Sequence, residues 1–422
     1  MNEVFKSAKE ALKYVEKVPK SKGATMMGVP FEKRAEVRFG FVGVGGRGTG
    51  QLREMLAVKG ARITAVSDPV AAAMQKASEF VEQAGQPAPV TEADWRKLCE
   101  RDDVDVVYIC SPWDFHVPQA VQAMECGKHA AVEVPAATTL ADCWRLVDTS
   151  EKTRRHCMIL ENCCYGYNEL LALNMIQTGA LGEVTHGEAA YIHDLRALLL
   201  SDKGEGLWRR VPHTQRNGNL YPTHGLGPVA RYMDIHRGDR FTRLVSMSSR
   251  PAALKAWCDA HLPKDDPKCK ETFTCGDMNS SLLLTDAGKT VLLQHDVVTP
   301  RPYSRLNLVQ GTKGTFADYP PRVFLDGAET HAWRPIDDFK AQYEHPLWKE
   351  HGETAMKLGG HGGMDFIMNL RLVEAFQKGL PPDMDVYDAA AWSAPGPLSD
   401  ISVALGSLAL PFPDFTRGKW KP

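Results

Sequence analysis

A chain of 422 residues exceeds what one ordinary hydrophobic core accommodates, so two domains are the expectation. With 43% hydrophobic and 24% charged residues and a formal net charge of −2, the composition is globular, and nothing in it favours nucleic acid or an anionic membrane as partner. No apolar run approaches the roughly 18 residues a membrane-spanning helix needs. The Lys/Glu-rich start, Met1 to Lys20, lacks the apolar stretch of a signal peptide, so the chain as written reads as cytoplasmic unless a leader has been removed.

Residues 1–36 read as a leading helix (Ala11, Leu12, Val15) and a polar connector, packed elsewhere on the protein or on a neighbouring subunit. Val37 to Val42 is a short apolar strand running into Gly43-Val44-Gly45-Gly46-Arg47-Gly48. The spacing then predicts a helix over Thr49–Val58, a strand over Arg62–Ser67 ending at Asp68, and helices over Ala71–Gln83 and Asp94–Cys99. Strands follow at Val104–Cys110, His129–Glu133 and Met158–Glu161, separated by helices at Val117–Glu125 and Leu140–Lys152. Strands alternating with helices in this way imply an α/β Rossmann domain, a doubly wound parallel sheet, over residues 37–165.

Beyond residue 165 the rhythm changes. Val184–His193, Thr242–Ser248, Ser280–Leu284, Thr290–His295 and Arg305–Gln310 read as longer strands with few helices between, and helices close the chain at Met364–Lys378 and Asp388–Leu408. Residues 166–422 therefore read as an α+β domain with an open, mainly antiparallel sheet, whose last helices can return to the Rossmann domain.

A lone G-x-G-x-x-G says little, but here it follows a strand, opens a helix and is followed twenty positions later by Asp68 at the end of the second strand. Glycines let the backbone turn tightly and approach a pyrophosphate at the helix N-terminus. Asp68 would accept from the ribose hydroxyls and repel a 2′-phosphate, which favours NAD over NADP. Arg47 within the turn reads as a phosphate clamp. Cys110-Ser111-Pro112-Trp113-Asp114-Phe115-His116, Glu133-Val134-Pro135 and Glu161-Asn162 each follow a strand, where parallel sheets bind ligands, and are candidate nicotinamide-side contacts. The ten cysteines show no C-x-x-C and read as reduced. The fourteen histidines show no H-x-x-x-H, so no metal site is expected.

These residues resemble the glucose–fructose oxidoreductase and inositol dehydrogenase family, in which a Rossmann domain precedes an α+β domain with an open sheet. Typical dehydrogenases of that family carry Glu-Lys-Pro, their lysine helping to activate the substrate hydroxyl, where this chain has Glu133-Val134-Pro135. Val134 cannot ionise, which weakens the reading as a sugar or cyclitol dehydrogenase with dissociable NAD. A closer resemblance is to the glycoside hydrolases of family 109, known for NAD-dependent α-N-acetylgalactosaminidases. It rests on Gly45-Gly46-Arg47-Gly48, Trp113-Asp114-Phe115-His116, Glu133-Val134-Pro135, the run from Arg216 through Asn219-Leu220-Tyr221-Pro222-Thr223-His224-Gly225 to Pro228, Pro300-Arg301-Pro302-Tyr303 and His361-Gly362-Gly363-Met364-Asp365. The resemblance implies that Gly45, Gly46, Arg47, Asp68, Trp113, Asp114, Phe115, His116, Glu133, Val134, Asn162 and Tyr221 hold a tightly bound NAD. It implies that Tyr191, Arg209, Tyr221, Pro222, Thr223, His224 and Tyr303 face the sugar, with His224, Tyr303 and Tyr221 catalytic.

The reaction so implied is release of terminal N-acetylgalactosamine by oxidation at C3, elimination across C1–C2, addition of water and re-reduction, so that the cofactor is regenerated in each cycle. His224 suits proton transfer by its intrinsic pKa of about 6.5 and reads as lying in a Pro/Gly-rich loop. Tyr303 and Tyr221 need a nearby cation, or the positive nicotinamide ring, to act as bases; Arg209 is a candidate cation and could also hold a hydroxyl or acetamide oxygen of the substrate. The His361–Asp365 motif reads as pocket-shaping, with Asp365 a cap or first-turn acid. The expected partner is a glycan with a terminal amino sugar, with no nucleic acid or membrane, and the resemblance implies a homo-oligomer formed through the open sheet. A protein that keeps NAD only as a structural element is the remaining alternative.

Overall fold

Six short strands, mostly apolar except for β3, form one parallel sheet: β1 (Val37–Val42), β2 (Ala61–Ser67), β3 (Val90–Glu92), β4 (Val106–Ile109), β5 (His129–Val132) and β6 (Cys157–Ile159). Their order, β3-β2-β1-β4-β5-β6, is that of a dinucleotide-binding Rossmann domain. In the computed structural model, residues 5–328 and 331–421 are described. The register pairs Val42 with both Ser67 and Ile109, which sets Gly43, Asp68 and Cys110 at one end of the sheet where the strand order reverses. β3 has no counterpart in the sequence reading, because three residues at a sheet edge, largely exposed, show neither an apolar run nor a period.

The chain divides into two compact units, one of residues 19–167 with 346–391 and the other of residues 1–18, 168–345 and 392–422. The parallel sheet lies in the first. The return of residues 346–391 to it has a plain cause in the helix Met364–Lys378. Phe366, Ile367, Met368, Leu372, Val373 and Phe376 are buried around most of its circumference, and such a helix must lie inside a core. Within that unit Asn369 meets both the Tyr108 hydroxyl and the Gln51 side chain at 2.8 Å, and Trp348 Nε1 donates to the Tyr165 carbonyl at 2.8 Å. Of the segments read as 1–36, 37–165 and 166–422, the two units divide the first and, through residues 346–391, the last. The leading helix, Ala8–Val15, joins the second unit, and the connector after residue 18 joins the first.

The second unit is built on nine strands: β7 (Val184–Ile192), β8 (Phe241–Ser248), β9 (Asn279–Thr285), β10 (Thr290–Asp296), β11 (Leu308–Gly311), β12 (Gly314–Ala317), β13 (Arg322–Leu325), β14 (Arg334–Pro335) and β15 (Leu410–Pro411). The order is β14-β13-β12-β11-β7-β10-β9-β8-β15, with β7 and β10 parallel and the other pairs antiparallel. Buried and more exposed residues alternate along β9 and β10, as expected when one face carries the core. The helix Thr223–Tyr232 lies on the central strand β7. A Cβ at Gly225 would stand 2.3 Å from the Ala190 nitrogen, and one at Gly187 2.6 Å from Val229 Cγ1, so glycine on both surfaces permits the close approach. No described helix is long and apolar enough to cross a membrane, and the ten cysteines form no disulfide with one another.

Candidate active site

In the first unit, the turn after β1 is shaped by what its glycines exclude. Gly43 has φ +82°, and a Cβ at Gly48 would meet the Gly43 oxygen at 1.8 Å, so any side chain there would push the helix Gly46–Leu56 off the strand. At Gly45 and Gly46 an added Cβ meets nothing within 4 Å, so the outer side of the turn is open. That helix begins without a side-chain cap and without an acid in its first turn, leaving its positive end to a ligand. Asp68 accepts from Val44 N and from Val70 N, both at 2.9 Å, one on each carboxylate oxygen, which keeps a lone pair on each for ribose hydroxyls. A tight turn, an open approach, an uncapped helix end and an oriented carboxylate fit NAD.

Further along the same end of the sheet, charge is concentrated. Arg47 donates through Nε to Glu133 at 2.6 Å, and through Nη1 and Nη2 to Asp365 at 2.7 and 3.2 Å. Asn162 Nδ2 and His361 Nδ1 reach the same Asp365 carboxylate, each at 2.7 Å. Burial pushes the Asp365 carboxyl up, but Arg47 and His361 outweigh it and hold the group below the usual carboxylate range. For Glu133 burial prevails over Arg47, and its carboxyl lies above that range. Arg47, read as a phosphate clamp, is thus engaged by two carboxylates, with which any phosphate must compete. Asp365 sits in the first turn of its helix but caps nothing; it closes this cluster, and the glycines around it supply the left-handed turn that brings His361 back.

Trp113 to His116 form the first turn of a helix that begins at Trp113, four residues earlier than read. Trp113 is buried while Asp114 and Phe115 are exposed. His116 is buried with Nδ1 2.8 Å from the Pro135 carbonyl and Nε2 2.8 Å from the Ser111 carbonyl, tying together the segments that follow β4 and β5. Val134 is buried beside Glu133.

The second unit gathers rings. Tyr191 stands near the end of β7, opposite His295 of β10 in register. Ser304 bridges to Ile192, and Ala190 N donates to the Arg305 carbonyl at 2.7 Å, which brings the segment of Tyr303 alongside. Ring centroids lie at 4.7 Å for Tyr191–Tyr221, 4.8 Å for Tyr221–His224, 5.3 Å for Tyr191–His224 and 6.1 Å for Tyr191–Tyr303. His224 is half-buried in the first turn of the helix Thr223–Tyr232, not in a loop as read. The Gly-Leu-Gly-Pro stretch that suggested a loop is helical because Gly225 presses on β7 and Pro228 follows within the helix. Pro222 and Thr223 are buried.

Arg209 lies over Tyr221 at 4.8 Å and over Tyr191 at 5.9 Å, and pairs with Glu205 at 2.5 Å. Burial opposes its charge, but Tyr191, Tyr221 and Glu205 outweigh that and fix the guanidinium as cationic. Its neighbours respond. Burial and Arg209 push the His213 imidazole down to about 3, burial, His213 and Arg209 hold His295 well below its ordinary value, and burial with Arg209 lowers His193. These imidazoles are neutral at neutral pH.

Tyr303 has a different cation from the one the sequence suggested. Arg305 Nη1 donates to its hydroxyl at 2.9 Å. His193 lies 5.0 Å from the Tyr303 ring and Tyr319 6.0 Å from it. Arg305 and His193 went unread, though each lies two residues from a tyrosine that was singled out, and extended chain puts residues i and i+2 on one side. Glu169, which pairs with Arg305, could not be read, since 136 residues separate the two.

Known families match the chain in two successive segments. The chain matches the family described as "Glycosyl hydrolase 109, C-terminal domain" over residues 165–422, and "Oxidoreductase family, NAD-binding Rossmann fold" over residues 37–160. A glycosyl hydrolase family 109 protein of Solibacter usitatus (strain Ellin6076) is 54% identical over 403 residues, covering 94% of this chain and 92% of the relative. One from Streptomyces filamentosus is 49% identical over 427 residues, covering 99% and 85%. Among solved structures, levoglucosan dehydrogenase in complex with NADH and levoglucosan superposes with a TM-score of 0.70 at 18% identity, over 90% of this chain and 100% of that one. An inositol dehydrogenase homolog complexed with NAD+ from Azotobacter vinelandii gives 0.63 at 18% identity, over 90% and 99%. The N-terminal domain is an NAD-binding Rossmann fold, and the second is a mixed, mostly antiparallel sheet domain.

Proposed function

We propose a specific reaction for this chain, which belongs to glycosyl hydrolase family 109: removal of terminal, α-linked N-acetylgalactosamine from glycans with no net change in the cofactor. It is a glycosidase of that family with an NAD-binding domain. The observation that carries the finer reading is the ring cluster of the second unit. Most glycosidases flank the bond with two carboxylates, and NAD-dependent ones are exceptions. Here the groups gathered are the His224 imidazole and the phenols of Tyr191, Tyr221 and Tyr303, beside the Arg209 guanidinium.

When bound, NAD supplies reversible acceptance of a hydride, here from C3 of the sugar. Asp68 and the glycine turn hold and orient it, and the carboxylate of Asp68 disfavours a 2′-phosphate. His224 takes the proton of the C3 hydroxyl, a task suited to imidazole near neutral pH. The C3 ketone acidifies the hydrogen on C2. Tyr303, whose oxygen accepts from Arg305, removes that hydrogen as a proton, and the C1 substituent leaves. Tyr221, next to Arg209, faces the leaving oxygen and then the entering water at C1. Protonation at C2, with return of the hydride to C3 and of the proton to the C3 oxygen, restores the sugar.

The test uses 4-nitrophenyl α- and β-N-acetylgalactosaminides in deuterium oxide. The expected result is nitrophenolate release from the α-anomer, no accumulation of NADH and deuterium at C2 of the product. Stoichiometric NADH from free sugars with no aglycone released would refute it.

A further inference from the structure

We infer that Arg305, anchored by Glu169, is a positioning residue that sets the charge state of the Tyr303 phenol; as regards catalysis, this rests on the base role given to Tyr303 above. The Tyr303 hydroxyl accepts from Arg305 Nη1 at 2.9 Å, and the guanidinium lies 5.5 Å from the same ring. Arg305 Nη2 in turn donates to Glu169 Oε1, and the two side chains are 8% and 3% exposed, so little water screens the pair. The supporting segment is fixed. Leu306 and Asn307 adopt left-handed backbone with φ +58° and +49°, and the Tyr232 hydroxyl joins Asn307 Oδ1 at 3.0 Å to the Glu169 carbonyl at 3.2 Å.

Other groups face the phenol. His193 lies 5.0 Å away, lowered by burial and Arg209 and therefore neutral; Tyr319 lies 6.0 Å away, raised by burial and therefore protonated; Tyr191 lies at 6.1 Å. Asp318, bound by Asn168 at 3.0 Å, adds negative charge behind Glu169. Arg305 is thus the cation in hydrogen-bond contact with the phenol, and a cation donating to an ionisable oxygen favours its deprotonated form. Glu169 orients the guanidinium and partly offsets its charge. Removing the two charges must therefore act on Tyr303 in opposite directions.

The experiment is a pH titration of holoenzyme carrying carbon-13 at tyrosine Cζ, with the Tyr303 signal identified by its loss in Tyr303→Phe. Arg305→Gln should raise the Tyr303 midpoint by about 1–3 pH units and move the acid limb of kcat/KM with it. Glu169→Gln, which keeps an acceptor for Arg305, should lower the midpoint by about one unit. Arg305→Lys should recover part of the loss. An unmoved midpoint in Arg305→Gln, or an upward move in Glu169→Gln as a mere prop would give, overturns the inference. If Arg305→Gln does not fold, the sign in Glu169→Gln decides. Opposed shifts together with native turnover by Tyr303→Phe would uphold the electrostatic chain and refute the base role instead.

Discussion

The helix that carries His224 is seated by one missing methyl group. An alanine at position 225 would place Cβ 2.3 Å from Ala190 N, 2.7 Å from Ala190 O and 2.9 Å from the Ala189 carbonyl carbon, all backbone atoms of β7. No rotamer relieves contacts with backbone, so the helix must retreat by about 1 Å to reach ordinary packing distances. Overpacking of this kind costs about 1–3 kcal/mol, and the better helix propensity of alanine returns up to about 1 kcal/mol. The second unit should therefore lose about 1–2 kcal/mol of stability. Turnover should fall further, because a displacement of about 1 Å in a positioned group costs roughly 100-fold. Gly50 in the helix Gly46–Leu56 is the matched control. An added Cβ there meets nothing within 4 Å, and Gly50→Ala should stabilise the first unit by about 0.4–1 kcal/mol. Denaturant unfolding and release of nitrophenolate measure both variants. Native stability and turnover in Gly225→Ala would show that the helix is not held by that contact, and the reasoning from close approach to position to rate would fail.

Three further expectations follow from the same geometry. Asp68→Ala removes the acceptor of the ribose hydroxyls, so NAD should bind about 10- to 100-fold more weakly while discrimination against NADP falls; calorimetric titration with both dinucleotides checks this. Asp365→Asn leaves Arg47 with Glu133 alone, at about 2–3 kcal/mol, toward the low end for a broken buried pair because the Arg47 side chain is 24% exposed. The Asp365 carboxyl is held below its ordinary value, so its contribution is present above about pH 3.9 and is lost as pH falls through the folded value. The stability difference between native and variant protein should be constant near neutrality and shrink in acid, and a constant difference throughout would contradict the charge pairing. Arg209→Met removes the charge that, after burial, holds His193 down, so this imidazole should titrate about one unit higher by NMR, and KM should rise; an unmoved His193 would rule out Arg209 as the source of the shift.

The parallel sheet was legible because its signal is local: apolar runs of strand length, each followed within a few residues by a helix, with glycines and Asp68 at fixed offsets. The ring cluster was legible only as a list of residues. His224 was misread as loop because glycine and proline in Gly225-Leu226-Gly227-Pro228 usually break helices, and the reason they do not here is a contact with Ala190 on β7. Arg209 is a candidate cation for Tyr221 and Tyr303 in the sequence, whereas packing sets it beside Tyr221 and Tyr191 and sets Arg305 beside Tyr303.

From its residues alone the chain declared a Rossmann domain, a second sheet domain and a dinucleotide, while its resemblance to family 109 singled out the aromatic and imidazole groups. Tertiary structure decided which charge stands beside which ring, that Arg47 is engaged by Glu133 and Asp365, and that residues 346–391 complete the first unit. The physical reason is range. Backbone turns and strand periods are settled within a few residues, whereas the charge felt by a phenol depends on the few ångströms around it, and folding fills that space from segments more than a hundred residues away.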